Sequence, residues 1–256
     1  MIESHGLAMT KVLLLGGTFD AHVLSTLLHA AGVQAIYSYA GVTQTRRTPA
    51  LPSRVGGFGG VAGLMQYLQQ QRISHVIDAT HPFAAQMSRN AISACSALGI
   101  PLVSMERPAW QATPMDQWTH VPDMAAAAQA LAAHGPRVFL AIGRKQLAAF
   151  ADMAAWHHFV LRVVDPPDAA LPLPAASYEL LIARGPFQLA DELALLQHHA
   201  VDCIVSKNAG GADTYAKIEA ARALGIPVIM VDRPHLPARR QCETPQQAME
   251  WLGSQR

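Results

Sequence analysis

Short, continuous runs of apolar residues alternate along the chain with longer segments that have helical periodicity or are rich in alanine. The apolar runs lie at 11–15, 33–39, 76–77, 101–105, 137–142, 159–164, 179–183, 202–205 and 226–231. Runs of this length, without alternating polar residues, are typical of strands that are buried on both faces. The pattern therefore predicts an α/β protein with parallel sheets covered by helices.

The two halves of the chain resemble each other at a constant spacing. Residues 93–108 read SACSALGIPLVSMERP, and residues 219–234, which follow 126 positions later, read EAARALGIPVIMVDRP. The simpler alternative is that Leu-Gly-Ile-Pro is a common helix end before a buried strand. We favour an internal repeat and predict two similar domains, over 10–113 and 118–252, joined by the aperiodic segment 110–121.

Composition narrows the class of protein. The formal net charge of +1 argues against a nucleic-acid binder, and three scattered cysteines without a Cys-x-x-Cys pair give no support for a zinc site. No apolar run approaches the roughly 20 residues that span a bilayer, and residues 1–9 do not have the pattern of a signal peptide. We expect a soluble cytoplasmic protein that binds neither nucleic acid, membrane nor metal.

A glycine turn follows the first strand. Gly16, Gly17 and Thr18 stand between that strand and an apolar helix at 23–31, as in the phosphate-binding turn of a Rossmann domain. Thr18 and Ala21 replace the second and third glycines of the usual Gly-x-Gly-x-x-Gly, and we expect the Thr18 hydroxyl to donate to a phosphate. The alternative is a glycine turn of the kind found in any doubly wound fold.

The end of the second strand bears on the choice of coenzyme. Ser38 stands where NAD enzymes carry the acidic residue that binds the ribose 2′-hydroxyl, and Thr43, Arg46 and Arg47 follow. Hydroxyl groups and arginines in place of an acid favour NADPH over NADH. The alternative is that the two arginines belong to a solvated loop.

The third strand runs into Asp78-Ala-Thr80-His81-Pro82. We predict that Thr80 caps a helix that starts with Pro82 and runs on over 83–98. We also expect Thr80 to contact the coenzyme. His81 is the residue of this turn whose ordinary pKa suits a proton donor, although it could equally fix the turn. Asp78 is the second candidate catalytic residue and is expected near the sheet edge, holding the turn.

Cations follow successive strands of the second half. Arg144 and Lys145 follow one strand, Arg184 the next and Lys207 the third. Because parallel strands end at one edge of a sheet, this row predicts a site for a ligand with several carboxylates or phosphates. For each cation singly, a structural ion pair is the alternative.

Seven segments together are similar to the precorrin-6A reductases of cobalamin biosynthesis. They are LGGT at 15–18, SYAG at 38–41, RVGGFGG at 54–60, DATHPFA at 78–84, RGPF at 184–187, KNAGG at 207–211 and IPVIMVDRP at 226–234. The resemblance implies two Rossmann-like domains with NADPH and tetrapyrrole between them, and reduction of one C=C bond that converts precorrin-6A to precorrin-6B. From these segments we add Arg54 and Asn208 to the expected tetrapyrrole site.

One position departs from the family pattern. Relatives commonly carry arginine directly after Ser-Tyr-Ala-Gly, where this chain has Val42, so Thr43, Arg46 or Arg47 must take its place. Two other classes are alternatives. A dehydrogenase or epimerase of another Rossmann class lacks support, because no tyrosine in the chain has a lysine four residues after it. A non-catalytic NADP-binding redox sensor would not need the row of cations.

Overall fold

The computed structural model describes residues 10–39 and 49–255, so the predicted coenzyme contacts Thr43, Arg46 and Arg47 lie outside the described residues. The chain forms two compact units, the first made of residues 1–107 and 235–256 and the second of residues 108–234.

The elements of the first half, in chain order, are β1 Lys11–Leu15, α1 Phe19–Ala30, β2 Gln34–Tyr39, β3 Ser53–Val55, α2 Gly60–Gln70, β4 His75–Asp78, α3 Ala85–Leu98 and β5 Leu102–Met105. Those of the second half are β6 Trp118–Val121, α4 Met124–Ala130, β7 Arg137–Ala141, β8 His158–Val163, β9 Tyr178–Ile182, α5 Leu189–His198, β10 Cys203–Lys207, α6 Ala216–Leu224, β11 Val228–Val231, β12 Arg240–Cys242 and α7 Pro245–Ser254. Short 3-10 turns connect several of them.

Each unit contains one six-stranded sheet in which every strand pair is parallel. The first sheet has the order β12-β5-β4-β1-β2-β3, and the second has the order β6-β11-β10-β7-β8-β9. Without the sixth strand, the order is β3-β2-β1-β4-β5 in the first sheet and β9-β8-β7-β10-β11 in the second, the same 3-2-1-4-5 order as in Rossmann folds. The predicted fold class, two Rossmann-like domains related as an internal repeat, is confirmed.

The repeat is visible in the helix ends. Gly99 ends α3 and Gly225 ends α6, both in the left-handed conformation, with φ of 66° and 67°. Glycine adopts this conformation without the steric cost that a Cβ brings. The Leu-Gly-Ile-Pro segments therefore perform the same turn from helix to buried strand in both units.

The predicted domain boundaries are not those of the two compact units, because β6 of the second sheet lies in the predicted linker and the first sheet takes its sixth strand, β12, from the end of the chain. The chain leaves the first unit after Arg107, and β6 becomes the edge strand of the second sheet. After Pro234 the chain returns to the first unit, where β12 becomes the edge strand of the first sheet and α7 follows it. Trp251 and Leu252 of α7 are buried in the core around β1 and α1. Burial of these apolar side chains, together with the pairing of β12 with β5, assigns residues 235–255 to the first unit.

The predicted linker also has a fixed structure. The side-chain amide of Asn208 donates to the carbonyl oxygen of Trp110 at 3.0 Å and its oxygen accepts from the Trp110 N–H at 2.8 Å. The Asp116 carboxylate binds the Arg222 guanidinium of α6 at 3.0 Å. Residues 110–117 are thus fastened to the second unit. Within the described residues, no helix is long and apolar enough to cross a bilayer.

Candidate functional site

The turn between β1 and α1 is held against the second strand. The Gly16 N–H donates to the Ser38 carbonyl oxygen at 3.0 Å, and a Cβ built at Gly16 would lie 2.2 Å from the Tyr37 ring. Gly17 has a φ of 118°, and its N–H donates to the Tyr37 hydroxyl at 2.9 Å. Close approach at the first glycine and backbone conformation at the second explain why both positions are glycine.

Thr18 caps α1. Its hydroxyl oxygen accepts from the Ala21 N–H at 3.1 Å, and its hydroxyl hydrogen is donated to the Ala79 carbonyl oxygen at 2.9 Å. The expected donation from Thr18 to a phosphate is therefore not available in this arrangement. The side chain instead orients the N-terminus of α1 and ties the turn to the end of β4, which leaves backbone N–H groups as the donors that favour an anion.

Arg54 lies beside Ser38, in the first unit. The two residues are partners in the register of β2 and β3, and the Arg54 Nη1 donates to the Ser38 hydroxyl at 2.9 Å. The guanidinium also donates to the carbonyl oxygens of Gly56 and Gly57, at 2.9 and 3.0 Å. The structure thus places Arg54 on β3 of the first sheet, beside the end of β2, whereas the other expected tetrapyrrole cations follow strands of the second sheet.

The turn after β4 is organised by a buried carboxylate. Asp78, which is only 3% exposed, accepts at Oδ1 from the Thr80 N–H at 3.1 Å and from the Thr80 hydroxyl at 2.7 Å. Thr80 therefore does not cap α3, and the predicted helix start is wrong. The helix begins at Ala85, after a turn in which the Ala84 N–H donates to the His81 carbonyl oxygen.

His81 is exposed at the end of this turn, and its Nδ1 accepts from the Phe83 N–H at 3.2 Å. An acceptor nitrogen carries no hydrogen, so this contact assigns the ring hydrogen to Nε2. Asp78 and Thr80 hold the turn that presents this Nε2–H.

The cations of the second unit follow three strands of one parallel sheet, in which β10 and β7 are neighbours and β8 lies between β7 and β9. Arg144 follows β7, Arg184 follows β9 and Lys207 is the last residue of β10. The Lys207 ammonium donates to the carbonyl oxygen of Ile142 at 2.5 Å, and burial lowers its pKa to about 8. Lys145 is exposed.

Both arginines are paired with carboxylates of the segment after β8. Arg144 Nη1 lies 3.5 Å from Asp168 Oδ2, and Arg184 Nη2 lies 3.4 Å from Asp165 Oδ1. Arg184 is the more exposed partner of its pair, with 39% of its side chain accessible against 9% for Asp165. The largely buried Asp165 therefore orients the more exposed Arg184 guanidinium.

Asn208 has a different position from the one expected. It is 5% exposed, its side chain is bound to the Trp110 backbone, and its own carbonyl oxygen accepts from Arg233 at 3.0 Å. Asparagine suits this position because its side-chain amide can satisfy a backbone N–H and a backbone C=O at once. We remove Asn208 from the candidate tetrapyrrole contacts.

A buried charged cluster in the second unit was missed. Arg162 of β8 makes a two-pronged ion pair with Glu192 of α5, with side-chain exposures of 7% and 1%. The guanidinium stacks at 3.8 Å from the ring centroid of Phe187, in the turn that carries Arg184. Lys217 is buried nearby, and burial, with a smaller effect of Arg162, lowers its pKa to about 7. The available signal was a single arginine inside an apolar strand.

Among the described residues, no group of three or more histidine, cysteine or carboxylate side chains is arranged to hold a metal ion.

Comparison with known proteins identifies the family. The family described as precorrin-6x reductase CbiJ/CobK matches residues 11–253. The chain is 52% identical over 244 residues to precorrin-6A reductase from Rhodobacter capsulatus, covering 95% of this chain and 96% of that protein. It is 47% identical over 249 residues to precorrin-6A reductase from Rhodococcus erythropolis, covering 96% and 98%.

A solved structure described as CobK precorrin-6A reductase has the same fold, with a TM-score of 0.90 and 51% identity over 96% of this chain and 97% of that one. Sequence match and fold agree along almost the whole length of each protein. The resemblance seen in the seven short segments is thereby confirmed, and this chain belongs to the precorrin-6x reductase family.

Proposed function

We propose that this protein reduces precorrin-6A to precorrin-6B with NADPH as the hydride donor. The observation that carries the proposal is that the two sheets have different groups at their strand ends. The first has a glycine turn before the N-terminus of α1, whereas the second has Arg144, Arg184 and Lys207 at its strand ends. The relatives named precorrin-6A reductase support the same substrate.

The first unit fits a dinucleotide. Gly16 and Gly17 allow a pyrophosphate to approach the backbone, and the α1 N-terminus favours its negative charge. The end of β2, with Ser38 and Tyr39, lacks the acid that a ribose 2′-hydroxyl would need, which supports NADPH over NADH. Thr43, Arg46 and Arg47 remain proposed contacts of the 2′-phosphate. When bound, NADPH supplies the hydride for the reduction.

The second unit fits the tetrapyrrole. Carboxylates spread around a large ring need cations that are spread in space, and Arg144, Lys145, Arg184 and Lys207 follow three different strands. Lys207 also needs its proton for this role, so the burial that lowers its pKa makes the contact dependent on pH. Charge-assisted hydrogen bonds to these groups would fix the ring and contribute to its orientation.

His81 is proposed as a hydrogen-bond donor through Nε2, beside the coenzyme. A histidine that acts as an acid carries hydrogens on both ring nitrogens, and a hydrogen on Nδ1 would abolish the bond from the Phe83 N–H. We therefore assign His81 to orientation of the reacting groups and Asp78 to support of the turn through Thr80. Neither residue is required to transfer the proton that accompanies the hydride.

The test is an anaerobic assay with precorrin-6A in which oxidation of NADPH and NADH is followed separately. We expect NADPH oxidation that depends on the tetrapyrrole and yields precorrin-6B, with NADH a much poorer donor. NADPH binding without tetrapyrrole-dependent oxidation would favour the redox sensor. Equal use of NADPH and NADH would reject the proposed 2′-phosphate recognition and leave the reductase activity in place.

A further inference from the structure

Arg54 is joined to the glycine turn through a single residue. The Ser38 carbonyl oxygen accepts from the Gly16 N–H at 3.0 Å, and the Ser38 hydroxyl accepts from Arg54 Nη1 at 2.9 Å. Ser38 is only 4% exposed, so this connection is fixed. In Rossmann domains the end of the second strand lies beside the ribose that carries the 2′-substituent. Arg54 therefore stands at the corner where NADPH and NADH differ.

The guanidinium is held rigidly in this position. Besides Ser38, it donates to the carbonyl oxygens of Gly56 and Gly57, and it lies flat on the Phe58 ring at 3.9 Å from the centroid. The Tyr67 ring lies 5.1 Å away. A cation that is already oriented loses little conformational entropy when it binds a ligand.

Two of its donors have no acceptor among the described residues. Both hydrogens of Nη1 are used by Ser38 and Gly56, and one hydrogen of Nη2 is used by Gly57. Nε–H and the second Nη2–H remain, and two such donors are what an arginine uses to bind two oxygens of a phosphate.

The charge of Arg54 is not balanced by a carboxylate within the described residues. The two other half-buried arginines that the structure describes in the first unit each have one: Arg107 lies 3.1 Å from Asp20, and Arg239 pairs with Glu106. Arg54 is surrounded instead by a hydroxyl, two carbonyl oxygens and aromatic faces. A partly desolvated cation in such surroundings favours an anionic ligand.

We propose that Arg54 binds the 2′-phosphate of NADPH and is a determinant of coenzyme specificity. The inference rests on the proposed use of NADPH, and it moves Arg54 from the tetrapyrrole site to the coenzyme site. Arg54 is the first residue of the RVGGFGG segment, and the carbonyl oxygens that orient its guanidinium belong to Gly56 and Gly57 of the same segment. The absence of an acidic residue at the end of β2 and the positive charge of Arg54 on β3 then both favour NADPH over NADH.

The experiment is a calorimetric titration of the full-length protein with NADPH and, separately, with NADH. Arg54→Met removes the charge and keeps an apolar side chain over Phe58, and Arg54→Lys keeps the charge without the fork. Arg72→Met is the matched control, because Arg72 is an exposed arginine in the same unit that precedes β4. We expect Arg54→Met to weaken NADPH binding about ten- to hundredfold, from the usual strength of hydrogen bonds to charged groups, and NADH binding less than about twofold. Arg54→Lys should give an intermediate loss.

Equal losses for NADPH and NADH in Arg54→Met would overturn the inference, since they would show that Arg54 binds the pyrophosphate or only orders its loop. Unchanged NADPH affinity would overturn it as well. Failure of the proposed function has different signatures: the wild-type protein would either bind neither coenzyme in the titration, or bind NADPH without oxidising it when precorrin-6A is added. Circular dichroism of each variant shows whether the fold is kept.

Discussion

The side-chain ammonium of Lys207 lies 2.5 Å from the carbonyl oxygen of Ile142, so the last residue of β10 reaches across to the end of β7. Burial lowers the pKa of Lys207 to about 8 from an ordinary value of 10.5. The charged form of Lys207 is thus costly in the folded protein, and under the proposed function the carboxylates of the tetrapyrrole would compensate for that cost.

Lys207→Met is expected to stabilise the folded protein at pH 7 by on the order of 1–3 kcal/mol. Between pH 8 and 10.5 the unfolded chain binds more protons at this lysine than the folded chain, so the stability of the wild type rises with pH in this window. The advantage of the variant should therefore shrink between pH 8 and 10.5. Urea unfolding at pH 7 and pH 10 measures it, and a variant less stable than wild type at pH 7 would contradict the prediction.

The same variant should raise the KM for the tetrapyrrole at least about tenfold, which corresponds to the loss of one charge-assisted contact. In the wild type, the KM should rise as the pH passes about 8, because Lys207 loses its proton there. Steady-state kinetics from pH 6.5 to 9 tests both statements. A KM with the same pH dependence in Lys207→Met and wild type would assign that dependence to another group.

Arg184→Ala is expected to raise the KM for the tetrapyrrole at least about tenfold and to leave NADPH binding almost unchanged. Because Arg184 also pairs with the largely buried Asp165, this variant should lose stability too. The double variant Arg184→Ala/Asp165→Asn separates the two effects: its thermal stability should recover while its KM stays high. Recovery of the KM in the double variant would show that Arg184 acts only by holding Asp165.

Arg162→Met should destabilise the protein by about 3–5 kcal/mol, the range for removing one partner of a buried ion pair. The cause is Glu192, whose side chain is 1% exposed and would lose its two-pronged partner. The double variant Arg162→Met/Glu192→Leu should recover most of the loss, because neither charge then has to be desolvated. Chemical unfolding of the single and double variants is the measurement, and equal destabilisation in both would argue against the ion pair as the cause.

Thr18→Asp is expected to weaken NADPH binding at least about tenfold, because a carboxylate at the N-terminus of α1 repels the pyrophosphate. Aspartate is itself a good N-cap, so the helix should be kept. Thr18→Ser is the matched control: it retains the hydroxyl that binds Ala21 and Ala79 and should bind NADPH like the wild type. Fluorescence titration decides the matter, and normal affinity in Thr18→Asp would move the coenzyme site away from this turn.

Arg46→Ala/Arg47→Ala is expected to cost about 1–3 kcal/mol of NADPH affinity and to leave NADH binding nearly unchanged. Combined with Arg54→Met, it shows whether the three arginines bind one phosphate. Losses smaller than the sum of the separate effects would indicate a shared ligand. Equal losses for both coenzymes would mean that Arg46 and Arg47 only order their loop.

The sequence by itself determined nine of the twelve strands that the structure describes and the repeat that relates the two sheets. Continuous apolar runs such as that of β1 have few alternatives to a buried parallel strand, and Gly99 and Gly225 reveal the same helix end twice. The glycine turn was also readable, because a tight turn between strand and helix restricts the residue type. The seven short segments sufficed to recognise the family.

The tertiary structure decided which side chains are used within the fold. Thr80 donates to the buried Asp78 two residues before it and does not cap α3, and Asn208 binds Trp110, which is 98 residues away along the chain. Arg162 of β8 pairs with Glu192 of α5, and the local sequence of neither element predicts this partner. The proposal that moves Arg54 to the coenzyme site also depends on a tertiary contact, because its neighbour Ser38 comes from another strand.

The domain boundaries were likewise decided by packing. The strands β3, β6 and β12 are three or four residues long, lie at sheet edges and contain polar residues, so a local pattern does not identify them. Both copies of Arg-Pro precede a short strand and a helix, and the local sequence does not say which sheet receives them. The burial of Trp251 and Leu252 against the first core gives α7 to the first unit, a choice made by surfaces that only the folded chain brings together.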